Sequence, residues 1–180
     1  MQAAVRNAEF CVARQQANGW FPNCCLSDPK RPLLHTMAYT MQGLVGIGKL
    51  TGRKDFICAA QKTADAEARI MNADGFIPGR QSPSFGAEST WCCLTGSAQT
   101  SIVWSGLFQI TGDEKYRRSV SVVNRFLMAH HDIDNKDLRL RGGVPRSWPV
   151  WADYGRLSIL NWATKFFVDA LSLQQRIAAL

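Results

Sequence analysis

At 180 residues, with 46% hydrophobic and 19% charged residues, the chain has globular composition and enough length to bury a sizeable core, which excludes disorder. Its net charge of +7 is scattered apart from short clusters at Arg117-Arg118 and between Arg139 and Arg146, so it lacks the concentrated patch of a nucleic-acid surface. No apolar run reaches the roughly 18 residues of a membrane helix and the N-terminus has no apolar signal core, so the expectation is no membrane, no nucleic acid and a cytoplasmic location.

Val5, Ala8, Cys11 and Gln15 recur at helical spacing and predict a helix over 3–17, stopped by Asn18-Gly19. The following loop, Asn18-Gly19-Trp20-Phe21-Pro22, carries two aromatics among turn formers and is therefore expected to pack against something. A second helix runs through Thr36, Met37, Met41, Leu44, Val45 and Ile47 to Thr51-Gly52, with Gly43, Gly46 and Gly48 inside it. Each such glycine costs up to about 1 kcal/mol relative to Ala, and three together suggest close helix–helix approach. Lys54 to Met71 reads as the next helix.

Asp74-Gly75-Phe76-Ile77-Pro78 repeats the earlier Gly-aromatic loop, and a polar segment leads to Trp91-Cys92-Cys93 and a helix from about Ser97 to Ile110. Thr111-Gly112-Asp113-Glu114-Lys115-Tyr116 matches Thr51-Gly52-Arg53-Lys54-Asp55-Phe56 at an offset of 60 (111 minus 51), and Gly46 then falls on Gly106. Lys115 to His130 is a further helix; Gly142-Gly143-Val144-Pro145 takes the place of the earlier loops, and Leu157 to Leu173 is the last helix. Period-two alternation is missing, so no sheet is expected beyond short loop pairings. The fold class is all-α: residues 1–180 form one helical domain of about three αα-hairpins of roughly 60 residues, stacked as repeats are.

The runs Asn18-Gly19-Trp20-Phe21-Pro22, Leu34-His35-Thr36-Met37-Ala38-Tyr39, Cys93-Leu94-Thr95-Gly96-Ser97-Ala98-Gln99 and Asn161-Trp162-Ala163-Thr164-Lys165-Phe166-Phe167-Val168-Asp169 resemble bacterial α/α-toroid proteins. Those are similar to the six-hairpin glycosidases and the terpenoid cyclase toroids, some of them associated with exopolysaccharide production. The resemblance implies about half of an (α/α)6 toroid, corresponding to the C-terminal half. It leaves open a piece of a longer protein, or a half that pairs with another chain as a homo-oligomer. It fixes no reaction, since toroids host hydrolases, lyases, epimerases and cyclases alike.

Candidate site residues follow from the loop-then-helix plan, which gathers the N-terminal ends of the inner helices around the toroid axis. His35 and Tyr39, four residues apart, share a helix face. A helix N-terminus favours neutral imidazole, suited to a general base; the alternative is a histidine that packs the helix start. Gln99, Tyr154, Asn161 and Trp162 occupy the corresponding ends. A glycoside hydrolase needs a carboxylate pair, and Glu88 and Asp153, each near tryptophans and a helix start, are the best placed; a structural role is the alternative for both. Trp20, Trp91, Trp148 and Trp151 could stack on sugar rings or plug their loops onto the helix ends, the latter favoured for Trp20. Arg146, with Arg141 and Arg156, could hold an acidic sugar's carboxylate or be solvated loop charges.

Six cysteines at an even count invite disulfides, but the chain is neither short nor visibly secreted, so reduced thiols are expected. Vicinal Cys24-Cys25 and Cys92-Cys93 suit a tetrahedral zinc site poorly; no metal and no cofactor are expected. Together these readings point to a carbohydrate-active hydrolase, lyase or epimerase acting on an acidic poly- or oligosaccharide. The alternatives are a non-catalytic module that dimerises through its open edge, and an isoprenoid toroid, against which the lack of an Asp-rich diphosphate site counts.

Overall fold

The computed structural model describes residues 1–26 and 28–179. Six helices alternate between an outer and an inner series: α1 (Gln2–Arg14), α2 (Leu34–Thr51), α3 (Lys54–Ile70), α4 (Leu94–Thr111), α5 (Glu114–Ala129) and α6 (Asn161–Ala178). The inner helices are α2, α4 and α6. α4 packs along both of its inner neighbours, while α3 backs α2 and α5 backs α4. Two two-residue strands, β1 (Cys92–Cys93) and β2 (Ser147–Trp148), pair antiparallel, and isolated bridges such as Leu33 with Arg80 tie the loops together. The all-α reading and the short loop pairings therefore hold.

Composition explains the layering. α4 is almost uncharged and buries residues on every side, among them Leu94, Gln99, Trp104 and Leu107, as expected of a helix surrounded by protein. α3 and α5 are amphipathic and bury single stripes, Phe56, Ala60, Thr63 and Glu67 in one and Tyr116, Val120, Val123 and Leu127 in the other. The inner-to-outer turns are short because Gly52 and Gly112 end α2 and α4 in the left-handed conformation (φ 71° and 69°), which glycine adopts without a Cβ penalty. All three long loops therefore lie at the opposite end, where inner helices begin.

Several expectations shift. α1 ends at Arg14 rather than at residue 17, and α6 runs on to Ala178, past Leu173. α4 starts at Leu94 rather than Ser97, because Cys93 Sγ accepts the Gly96 backbone N–H and caps the helix. α6 starts at Asn161 rather than Leu157: Leu157 has φ 55°, and Ile159 bridges to Pro145, so the chain stays out of the helix until Leu160. Of the three α2 glycines only Gly48 serves close approach, to Ile57 on α3; Gly43 and Gly46 have nothing within 4 Å. The aromatic loop does pack inward: Trp20 is buried and meets Phe85 edge-on, with ring centroids 5.3 Å apart. All six cysteines are free.

A candidate site at the start of the inner helices

Three inner-helix N-termini converge. Gly96 makes this possible: a Cβ there would lie 2.6 Å from the His35 backbone nitrogen, so only glycine lets α4 begin directly against the start of α2. Leu34 N–H donates to Gly79 O at 3.0 Å, and the Leu33–Arg80 bridge fixes how the chain enters α2. His35 thus sits buried on the first turn of α2, 7% exposed, with its Nδ1 2.5 Å from Gln99 Oε1 on α4. A carbonyl oxygen only accepts, so Nδ1 carries the proton and Nε2 keeps its lone pair.

Aromatic rings surround that imidazole. Tyr39, Tyr154 and Phe166 have ring centroids 4.7, 5.8 and 6.4 Å from it, and Tyr39 meets Phe166 edge-on at 5.8 Å. Burial lowers the His35 pKa below the usual histidine value, and the Gln99 hydrogen bond offsets part of that drop. Burial likewise raises the Tyr154 phenol, keeping it a protonated donor. Arg146 packs against Gly155, its guanidinium carbon 5.7 Å from the ring centroids of both Tyr154 and Trp162, within cation–π range. Arg146 Nε and Gln99 Nε2 are buried donors without a partner among the described residues. The arrangement combines a neutral base nitrogen, phenol donors, a guanidinium and unused amide donors within an aromatic shell.

Of the sequence candidates, His35, Tyr39, Gln99, Arg146 and Tyr154 come together here. Asn161, the first residue of α6, is exposed, and its Oδ1 accepts the Trp162 N–H at 2.7 Å. Asp153 is held by Arg80 at 2.9 Å, and Arg80 also donates to Arg31 O at 2.7 Å, so the Arg80 guanidinium joins three loops. Glu88 is exposed on its loop, and its backbone N–H donates to Arg80 O. Trp91 packs on Gly79, where a Cβ would lie 2.3 Å from the indole. Trp148 stacks near His130, centroids 4.6 Å apart, and Trp151 is 62% exposed.

Sequence reasoning missed Phe166, whose signal is its place four residues after Trp162 on one α6 face. It also missed the Arg80 clamp, which no local pattern announces. Cys92 and Cys93 are fully buried, with burial pushing their thiols up to about 11 and about 12, so both are protonated and poor nucleophiles. No group of three or more His, Cys, Asp or Glu residues able to hold a metal occurs among the described residues, and no described helix is long and apolar enough to cross a membrane.

No family model matches the chain, and no curated protein matches it. Among solved structures it is similar to the cellobiose 2-epimerase of Spirochaeta thermophila DSM 6192, with TM-score 0.71, 13% identity, and coverage of 99% of this chain and 50% of that one. It is also similar to a D-mannose isomerase, with TM-score 0.69, 13% identity, and coverage of 97% and 49%. The chain spans about half the length of these structures, and at such identity the likeness concerns fold. Its architecture is that of half an α/α-toroid enzyme.

Proposed function

We propose that the His35 cluster is the chain's share of a carbohydrate site that moves a proton on a sugar, in an epimerase or isomerase reaction. The observation that carries this reading is the pairing of His35 Nδ1 with Gln99 Oε1 in an aromatic, desolvated setting. It supplies an oriented, neutral Nε2 base at neutral pH, which proton abstraction next to a carbonyl requires. The structural neighbours, a cellobiose 2-epimerase and a D-mannose isomerase, favour the same class over hydrolysis. So does the binding of Asp153 to Arg80, which draws one of the two candidate carboxylates into a structural pair.

In this reading Nε2 takes the proton from the carbon beside the open-chain carbonyl, and the electron pair moves into an enediolate. Tyr154, kept protonated by burial, donates to the oxygen that gains charge. Arg146 stabilises that charge and extends the preference toward sugars carrying a carboxylate. Return of the proton to the other face of the same carbon gives an epimer; its return to the neighbouring carbon gives an isomer.

The test is solvent exchange. Reducing mono- and disaccharides, including uronic acids, are incubated with the protein in deuterium oxide and followed by proton NMR. The expected result is deuterium at the carbon next to the carbonyl, lost by about 10²–10⁴-fold in His35→Ala, the range for a general base. Absence of exchange with every sugar, or equal exchange by His35→Ala, overturns the reading.

A further inference from the structure

The helices are matched unevenly. α3 packs along α2 and α5 along α4, each pair joined by a two-residue turn. α1 belongs to the same outer series but lies only lightly against α2 and α3. Between α1 and α2 runs an open, mostly apolar groove of about 410 Å³, lined by residues that include Ala4, Ala8, Cys11, Gly43, Leu44 and Ile47. α6 is the reverse case: an inner helix packed on α4 and α5, with Trp162, Val168 and Ser172 exposed along one side.

Two comparisons inside the chain define what each end lacks. Gly19 and Gly75, both with left-handed φ (97° and 96°), press on the outer helix beyond their loop; a Cβ would lie 2.8 Å from Lys62 C and 2.6 Å from Val122 O. Gly142 is their counterpart, likewise three residues before a proline and likewise left-handed (φ 75°), yet nothing lies within 4 Å of it. The third loop is thus missing the outer helix on which the first two rest. In the inner series, a Cβ on Gly106 of α4 would lie 3.4 Å from Val45 Cγ1 of α2, whereas one on Gly46, its counterpart 60 residues earlier, would meet nothing within 4 Å. α2 is therefore missing an inner neighbour, and α1 an inner partner.

We propose that a second copy of this chain supplies both, with α6 of each copy lying in the α1–α2 groove of the other. α1 of one copy then backs α6 of its partner and covers the region of Gly142. Three outer and three inner helices per chain give six of each, as in six-hairpin toroids, and the matched toroid chains are about twice as long. One twofold axis along the ring axis forms both seams at once and closes the assembly. The seam residues Gly43, Gly46, Val168 and Ser172 are uncharged, and Lys165 beside them is already paired with Asp169 at 2.6 Å, while the exposed Lys49 and Arg176 lie one turn beyond Gly46 and Ser172. The ring faces one His35 cluster with a second, whatever chemistry they perform.

Sedimentation velocity tests this on the chain as it stands, at tens of micromolar. The expected species has twice the 20.0 kDa chain mass, about 40 kDa (2 × 20.0). Gly46→Arg and Val168→Arg, each on an exposed helix face, halve that mass while leaving far-UV circular dichroism unchanged. A 20 kDa monomer overturns the proposal and leaves these faces to hairpins other than those of a second copy. A dimer that survives both substitutions places the contact elsewhere, and growth beyond two copies shows that the seams do not close; either result overturns it as well.

Discussion

His35 owes its neutral state to burial, which outweighs the opposing effect of the Gln99 hydrogen bond. Because its folded pKa lies below the unfolded value, the unfolded chain binds more protons as pH drops below about 6.5. Stability from this group is thus complete above that pH and is lost as pH falls through the folded pKa; a base role would be lost over the same window. The Gln99 hydrogen bond raises the pKa, so Gln99→Leu should move the NMR titration midpoint of His35 further down; an unchanged midpoint contradicts the pairing. Glu67 behaves oppositely. Burial on α3 raises its pKa to about 8, although the hydrogen bond from Gln81 Nε2 at 2.8 Å works against the rise, so the folded state holds its proton between about pH 4.5 and 8. Its contribution is present below the unfolded pKa and is lost as pH rises toward 8. Glu67→Gln keeps an acceptor for Gln81 and should flatten the decline of melting temperature between pH 6 and 9; an identical pH profile would argue against a protonated Glu67.

At the scale of elements, the loop glycines separate two physical demands. Gly112 needs only a left-handed backbone in open space, whereas Gly75 needs that and also lies against Val122 O. Gly112→Ala should cost about 1–2 kcal/mol, the left-handed penalty for a residue with a Cβ. Gly75→Ala should cost clearly more in denaturant unfolding, and equal costs would show that the loop yields freely. Trp104, fully buried on α4 with its indole N–H donating to Ala64 O at 3.0 Å, ties the inner layer to α3. Trp104→Ala should lower stability by about 3–5 kcal/mol.

These elements also show what a sequence discloses. The Gly-aromatic-x-Pro loops and the 60-residue offset were legible because each repeat meets the same local geometry. The start of α6 was not, since a bridge from Ile159 to Pro145 holds the preceding residues extended. The start of α4 was hidden for a related reason, as its cap is a cysteine rather than the usual Ser, Thr, Asp or Asn. Gly43 and Gly46 misled because a helical glycine fits open space as well as close approach, and a Cβ at either would meet nothing within 4 Å.

Across the whole molecule, the loop-then-helix plan carries the functional argument. It brings residues as distant as His35, Gln99 and Tyr154 to one end of an arc of inner helices. Partner choice was not legible in the sequence: only contacts show that Asp153 binds Arg80 while Arg146 lies beside Tyr154 and Trp162. The fold alone fits many chemistries, so the claim rests on this end being where a sugar binds. The most direct measurement is an NMR titration of isotope-labelled protein with reducing sugars, neutral and acidic. The account predicts saturable shifts at the His35 imidazole and the Trp162 indole, with the exposed Trp151 as a comparison. Shifts confined to the outer helices α3 and α5, or none at saturating sugar, would contradict it.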